Sequence, residues 1–303
     1  MVGTAPDETH VKIVIAGSGG RLGAALAREW SGEGDEIVGL NHDALDLADA
    51  DAIERTLRPL EFDALVNCAA LTNVDYCETH EEEATRINAC AVAELGAICA
   101  EKRARMIHIS TDYIFDGETQ EPYTEEDEPR PLGVYAASKL AGECELHDAC
   151  PEALSVRVSW VFGPDRPSFV DQILKRAQET EDISAIADKW ASPTYTLDIA
   201  KLLRPFLSDF RHESGLLHLC NTGACTWQEY GQFALDCAAD LGVKLRGRTV
   251  APLKMAELKA FIARRPVFTA MATGKLARLT GTTPRPWEEA VAEYVRHACR
   301  LNR

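Results

Sequence analysis

The sequence has no Cys-x-x-Cys pair, no internal repeat, no low-complexity tract and no apolar run near ~18 residues. Each absence removes a class of protein. Without a long apolar run, no membrane-spanning helix is expected. Without paired Cys-x-x-Cys spacing, the ten cysteines do not read as a metal or dithiol site. Cys68, Cys90, Cys99, Cys220 and Cys237 lie in apolar stretches, where buried free thiols are expected. That usage fits a reducing cytoplasm. Positive charge is scarce, with 32 Lys and Arg against 48 Asp and Glu, a net charge of -16. Such acidity disfavours nucleic acid and anionic membranes as partners, although a local basic pocket can still hold an anionic ligand. The opening MVGTAPDETH is polar and acidic, unlike a signal peptide.

Hydrophobic residues make up 46% of the 303 residues. That suffices for a large core, in one big α/β unit or two domains. Strands are expected at 11–16, 36–40, 64–67, 105–110 and 154–162. Helices are expected over Leu22 to Trp30, Asp51 to Leu57, Glu81 to Lys102 and Val134 to Ala149, the last stopped by Pro151. Apolar strands alternating with helices predict an α/β fold, a Rossmann-type doubly wound parallel sheet with helices on both faces. Residues 118–133, with three prolines and many acids, read as a loop. Beyond Gly163 the pattern loosens. Helices are expected over Phe169 to Glu179, Thr196 to Leu207, 226–241 and 286–300, with strands at 183–187 and 215–220. This predicts a dinucleotide-binding domain of residues 1–165 plus 193–220. A smaller C-terminal α/β substrate domain takes 166–192 plus 221–303.

Gly17, Gly20 and Gly23 are spaced GxxGxxG between the first strand and the first helix. Glycine permits positive φ and lets the backbone approach a diphosphate, while the helix N-terminus offers free N–H groups. A ribose-reading residue is expected at the end of the second strand, which is Asn41. An acid there would repel a 2′-phosphate, and Asn41 tolerates either nucleotide. Arg21 could face a 2′-phosphate, a slight lean to NADPH over NADH. Asp46, Leu47 and the small residues Cys68, Ala69 and Ala70 are candidates for the adenine side.

Tyr135 and Lys139 lie at i and i+4 in YAASK and share one helix face. A phenol with its usual pKa of ~10 is a poor acid at neutral pH, and a nearby ammonium, aided by the cationic nicotinamide, is expected to lower it. Lys139 could also hold the nicotinamide ribose. The fourth strand ends in HISTDYIFDG, where Ser110 or Thr111 would bond a substrate carbonyl together with Tyr135. Ligands bind at such carboxyl strand ends in doubly wound sheets. His108 and Ile109 read as ordinary strand residues.

In this order the residues resemble the extended short-chain dehydrogenase/reductase superfamily, and within it the dTDP-4-dehydrorhamnose reductase family. The resemblance rests on GSGGRLG (17–23), VNCAALTNVDYCE (66–78), INA (87–89), ISTDYIFDG (109–117) and PYTEEDEPRP (122–131). It continues through YAASKLAGE (135–143), RVSWVFG (157–163), PT (193–194) and ARRP (263–266), and covers about residues 11 to 295. It implies reduction of a nucleotide-linked 4-keto-6-deoxysugar by NADPH or NADH. It implies Thr111, Tyr135 and Lys139 as catalytic residues. Gly20, Arg21, Leu22, Asn41, Asp46, Leu47, Ala69, Ala70 and Leu71 fall on cofactor positions. Thr111, Asp112, Tyr113 and Trp160 fall on the sugar side.

The chain departs from the family at several points. GPDRPSF replaces the usual Gly-x-Asn-Phe after Trp160, Ala136 replaces a glycine, and Asn41 replaces an acid. VFTAMAT after ARRP lacks the usual Ser-x-Leu-Asp/Asn. Some members bind magnesium through a glutamate where Ala24 and Ala25 stand, so no metal is expected here. Dehydratases of the superfamily place Glu where Tyr113 stands. An epimerase that retains its cofactor, and a regulatory subunit like that of methionine adenosyltransferase, are the competing readings. Arg264 and Arg265 are candidates for a substrate diphosphate or for salt bridges. The protein is expected to be a monomer or homodimer.

Overall fold

The computed structural model describes residues 11–31, 34–258 and 260–301. The expectation about a signal peptide falls on residues 1–10, outside these. In chain order the elements are β1 (Lys12–Ala16), α1 (Arg21–Ser31), β2 (Glu36–Leu40), α2 (Ala50–Leu57), β3 (Ala64–Asn67), α3 (Val74–Thr79), α4 (Glu81–Thr85) and α5 (Ala91–Lys102). Then follow β4 (Arg105–Thr111), α6 (Val134–Ala149), β5 (Leu154–Val158), β6 (Val161–Phe162), α7 (Phe169–Glu179), β7 (Ser184–Ile186), β8 (Trp190–Ala191) and β9 (Thr194–Tyr195). The chain closes with α8 (Thr196–Leu203), β10 (Gly215–His218), β11 (Cys225–Thr226), α9 (Trp227–Asp240), β12 (Ala251–Leu253), α10 (Gly274–Thr280) and α11 (Trp287–Leu301).

Six of these strands form one sheet in the order β10-β5-β4-β3-β1-β2, and every pair in it is parallel. The winding reverses between β1 and β3, so a crevice opens at their carboxyl ends. β1, β3, β4 and β5 are almost wholly buried, as apolar strands covered by helices on both faces must be. On one face Ile13, Ile15, Val66, Ile107 and Val156 pack with Leu26 and Trp30 of α1 and Ile199 and Leu203 of α8. The Trp30 indole N–H donates to the Ala200 carbonyl at 3.0 Å. On the other face Val14, Leu65 and Met106 meet Ile53 of α2, Leu95 of α5 and Leu146 of α6.

A separate apolar cluster joins α7, α9 and α11 through Ile173, Tyr230, Leu235, Val291 and Tyr294. Leu276 and Leu279 of α10 pack instead with the sheet cluster.

Three expectations change in detail, and two further helices were not expected. The helix expected over 81–102 is interrupted by a π-helical turn, Arg86–Cys90. That wide turn points Asn88 inward, a common use of such bulges. Gly142 of α6 lies so close to it that a Cβ there would stand 2.0 Å from the Asn88 carbonyl oxygen. The strand expected over 154–162 breaks at Trp160, whose φ is +39°. The helix expected over 196–207 narrows to a 3-10 turn at Arg204–Leu207, where Pro205 has no N–H to bond back. Finally, α3 and α10 lack the apolar periodicity that marks a helix in sequence. The N-cap Asn73 starts α3, accepting from the Tyr76 N–H at 3.1 Å.

Cys99 and Cys220 are buried thiols, and Cys68, Cys90 and Cys237 are half-buried ones. Among the described residues no helix is long and apolar enough to cross a membrane.

Candidate active site

A cleft of about 860 Å³ runs along the carboxyl ends of β1, β3, β4 and β5. Its lining includes the residues expected at the cofactor, catalytic and sugar positions, but not Gly23, Arg264 or Arg265. Gly17, Gly20, Arg21, Leu22, Asn41, Asp46 and Leu47 lie toward one end, with Ala69, Ala70 and Leu71 beside them. Thr111, Asp112, Tyr113, Tyr135, Lys139 and Trp160 line the same cleft.

The glycine turn is built by β1 ending against β2. The N–H groups of Gly17 and Ser18 both donate to the Leu40 carbonyl, at 2.8 and 3.2 Å. Gly17 has φ +79°, and a Cβ on it would stand 2.7 Å from the Ala69 nitrogen. The backbone therefore comes close to the β3 loop, an approach that a side chain would block. Arg21 and Leu22 at the start of α1 line the same cleft, and the first N–H groups of a helix lack intrahelical acceptors. These residues fit a dinucleotide diphosphate. Gly17→Ala is accordingly expected to weaken NADPH binding about tenfold, ~1.4 kcal/mol. A fluorescence titration reads this, and an unchanged affinity would contradict the assignment.

One assignment shifts on this side. The Arg21 guanidinium donates to the carbonyls of Val161, Arg166 and Pro167, so it clasps the loop after β6 rather than facing an open phosphate position. Arg166 answers by donating to the Gly19 carbonyl at 2.7 and 3.0 Å, and it too lines the cleft. Asn41 accepts from the Ala44 N–H at 3.0 Å, which leaves its amide NH₂ for a ribose hydroxyl.

Asn67 and Asn88 fix the wall between the two ends. Asn67 accepts from the Ala69 N–H at 3.0 Å. Asn88 accepts from the Leu71 N–H at 2.8 Å and donates to the Leu71 carbonyl and the Ser138 hydroxyl, both at 3.0 Å. Both side chains are fully buried. For Asn67 the signal in sequence was an amide at the end of an apolar run.

At the other end, α6 delivers Tyr135 and Lys139. Burial raises the Tyr135 phenol to about 12, and the nearby Thr111 hydroxyl draws it partly back. The Lys139 Nζ turns toward β4, 2.8 Å from the Ile109 carbonyl and 3.0 Å from His108 Nε2. Burial lowers Lys139 to about 8, against the opposing pull of Glu143 and Cys68.

The Thr111 hydroxyl donates to Asp112 Oδ1 at 3.2 Å and accepts from the Tyr113 N–H at 3.2 Å. Asp112 is buried, and its Oδ2 accepts from Ser159 at 2.8 Å and Thr269 at 2.6 Å. The carboxylate expected to contact sugar is thus committed to three hydroxyls, and it orients Thr111. Burial raises its pKa, while Lys189 and those hydroxyls oppose the rise. Neither Ser159 nor Thr269 was foreseen, because they come from segments distant in sequence. Tyr113 meets the Tyr135 ring edge-on at 5.9 Å, with the Lys189 ammonium 4.8 Å from its own ring.

The left-handed backbone of Trp160 turns its indole against Trp227 and Tyr230. Among the described residues its buried N–H has no partner, nor has the Ser110 hydroxyl. Arg265 is bound by Asp75 at 2.7 and 3.0 Å, so the salt-bridge alternative holds for it, while Arg264 is exposed.

A doubly wound sheet carrying these three side chains at its carboxyl edge is the framework of a short-chain dehydrogenase/reductase. Residues 11–300 match the family described as RmlD substrate binding domain. The chain belongs to the dTDP-4-dehydrorhamnose reductase family. It is 36% identical over 290 residues to "dTDP-4-dehydrorhamnose reductase" of Mycobacterium tuberculosis, covering 93% of this chain and 91% of the relative. It is 30% identical to "Spore coat polysaccharide biosynthesis protein SpsK" of Bacillus subtilis, covering 94% and 96%. The crystal structure of dTDP-4-dehydrorhamnose reductase from Bacillus anthracis in complex with NADP superposes with a TM-score of 0.88 at 28% identity. That match covers 95% of this chain and all of that one.

Proposed function

We propose that the protein reduces the 4-keto group of a nucleotide-linked 6-deoxysugar with NADPH or NADH. The observation that carries this reading is the meeting of Thr111, Tyr135 and Lys139 in one cleft continuous with the glycine turn. The names of its relatives support it.

Bound along the cleft, a reduced nicotinamide cofactor supplies the hydride. Main-chain groups at Gly17, Gly20, Arg21 and Leu22 would hold its diphosphate. Asn41, Asp46 and Leu47 would meet the adenosine half, and Ala69, Ala70 and Leu71 the middle. Thr111 orients the substrate carbonyl and Tyr135 gives its proton to the carbonyl oxygen. Lys139 lies one turn further along the helix to hold the ribose. Tyr113 and Trp160 contact the sugar, and the unpartnered Trp160 indole N–H is a donor for it. Asp112 serves this side through Thr111.

Residues 1–165 with 193–220 form the cofactor domain in this reading, and 166–192 with 221–303 the sugar domain. The separate apolar cluster of α7, α9 and α11 supports that division, with α10 packing across it. Purified protein is expected to oxidise NADPH or NADH on addition of a dTDP-linked 4-keto-6-deoxysugar. Absence of turnover with every nucleotide-linked ketosugar would overturn the reading.

A further inference from the structure

Residues 163–168, between β6 and α7, form a loop fastened to the glycine turn from both directions. The Arg21 guanidinium donates to the carbonyls of Val161, Arg166 and Pro167. In return Arg166 donates through Nε and Nη2 to one oxygen, the Gly19 carbonyl, at 3.0 and 2.7 Å. Asp165 pairs with Arg28 of α1. Pro164 and Pro167 bracket Asp165 and Arg166 and fix φ on either side of them. The loop lies in the GPDRPSF segment, where the chain departs from its family. Arg166 is thus an exposed side chain held at both its backbone and its head.

The two bonds to Gly19 use two of the five guanidinium N–H groups and leave three. Their place follows from what Gly19 touches. A Cβ on Gly19 would stand 3.4 Å from the Asn41 Cβ. The carbonyl that holds Arg166 therefore belongs to the residue packed against the ribose-reading position. Asn41 has no charge to repel a phosphate, and its amide NH₂ is left for a ribose hydroxyl.

The charges of the cleft narrow the choice of cation. Among the described residues, the basic side chains lining it are Arg21, His42, Lys139 and Arg166. Arg21 is spent on three carbonyls. Lys139 is turned toward the Ile109 carbonyl of β4. His42 stands 3.9 Å from Asp46 and is charged only when protonated. Arg166 is the permanent cation left. Asp43 and Asp46 line the same cleft, so a phosphate on the adenosine side needs a fixed positive group to outweigh them.

We propose that Arg166 recognises the 2′-phosphate of the adenosine ribose and makes the protein select NADPH over NADH. The role that the charge of Arg21 suggested passes to the neighbour that Arg21 holds. A guanidinium fork suits a phosphate, and one fixed in advance loses little freedom on binding. The inference deepens the proposed function, resting on a nicotinamide cofactor in this cleft.

The test is a fluorescence titration of the purified protein with NADPH and with NADH, in the absence of ketosugar. The parent is expected to bind NADPH about 10–100-fold more tightly, the range of a charge-assisted hydrogen-bonded pair. Arg166→Gln keeps an amide NH₂ for the Gly19 carbonyl and removes the charge. In this variant the NADPH affinity is expected to fall to near that of NADH, while the NADH affinity stays within about threefold of the parent's. A parent with no preference for NADPH would overturn the proposal. An Arg166→Gln variant that keeps the preference would also overturn it, because fastening the loop would then be the residue's whole role. Equal loss of both nucleotides would overturn it too and place Arg166 on the diphosphate they share. Binding of neither nucleotide by the parent would defeat the proposed function itself. Absence of ketosugar turnover would count against that reduction and leave the NADPH preference intact.

Discussion

Tyr135→Phe is expected to lower kcat for ketosugar reduction by about 10²–10⁴-fold, the usual contribution of a positioned general acid. Tyr135 lines the same cleft as Thr111, and burial raises its phenol, which keeps it protonated. The ring itself stays packed against Tyr113, so removing the hydroxyl should leave the fold and the cofactor affinity nearly unchanged. Stopped-flow cofactor oxidation at saturating cofactor, alongside a binding titration, separates the two effects. A kcat within threefold of the parent would assign the proton to another group. Thr111→Val should lower kcat too, because it removes the hydroxyl that Asp112 orients.

Arg157→Met is expected to destabilise the protein by about 3–5 kcal/mol, the cost of stranding a buried charge. Arg157 and Glu143 are 1% and 3% exposed, and two guanidinium nitrogens bind the carboxylate. The pair joins β5 to α6 one turn beyond Lys139, so it also sets where the catalytic helix sits. Urea unfolding followed by circular dichroism measures the loss. The double variant Arg157→Met with Glu143→Leu should recover most of it, because an apolar pair of similar volume can replace a buried ion pair. A loss under ~1 kcal/mol in the single variant would show that Glu143 finds water or another partner.

Much of this arrangement was legible in the chain because it follows local rules. The span of α6 is set by an apolar pattern that ends before Pro151, and its i, i+4 spacing alone brings Tyr135 and Lys139 to one face. The glycine turn was readable because a strand must turn sharply there into a helix. Partner choice was not readable. Arg21 and Arg265 had the right charge for phosphates, yet carbonyls and Asp75 claim them across long sequence separations. Asp112 looked like a sugar contact until Ser159 and Thr269 closed over it. The π-helical turn at Arg86–Cys90 has no proline or glycine to announce it, and its purpose emerges only where Asn88 reaches Leu71 and Ser138. His108 read as a strand residue because its two partners lie on other elements.

The central claim is hydride delivery to the sugar C4 carbon with protonation from Tyr135. Its most direct test is turnover with cofactor deuterated at nicotinamide C4, followed by NMR of the nucleotide-sugar product. The account predicts one deuterium at sugar C4, matched by one oxidised cofactor per product. Product without that deuterium, or with no net cofactor oxidation, would contradict it and point to epimerisation.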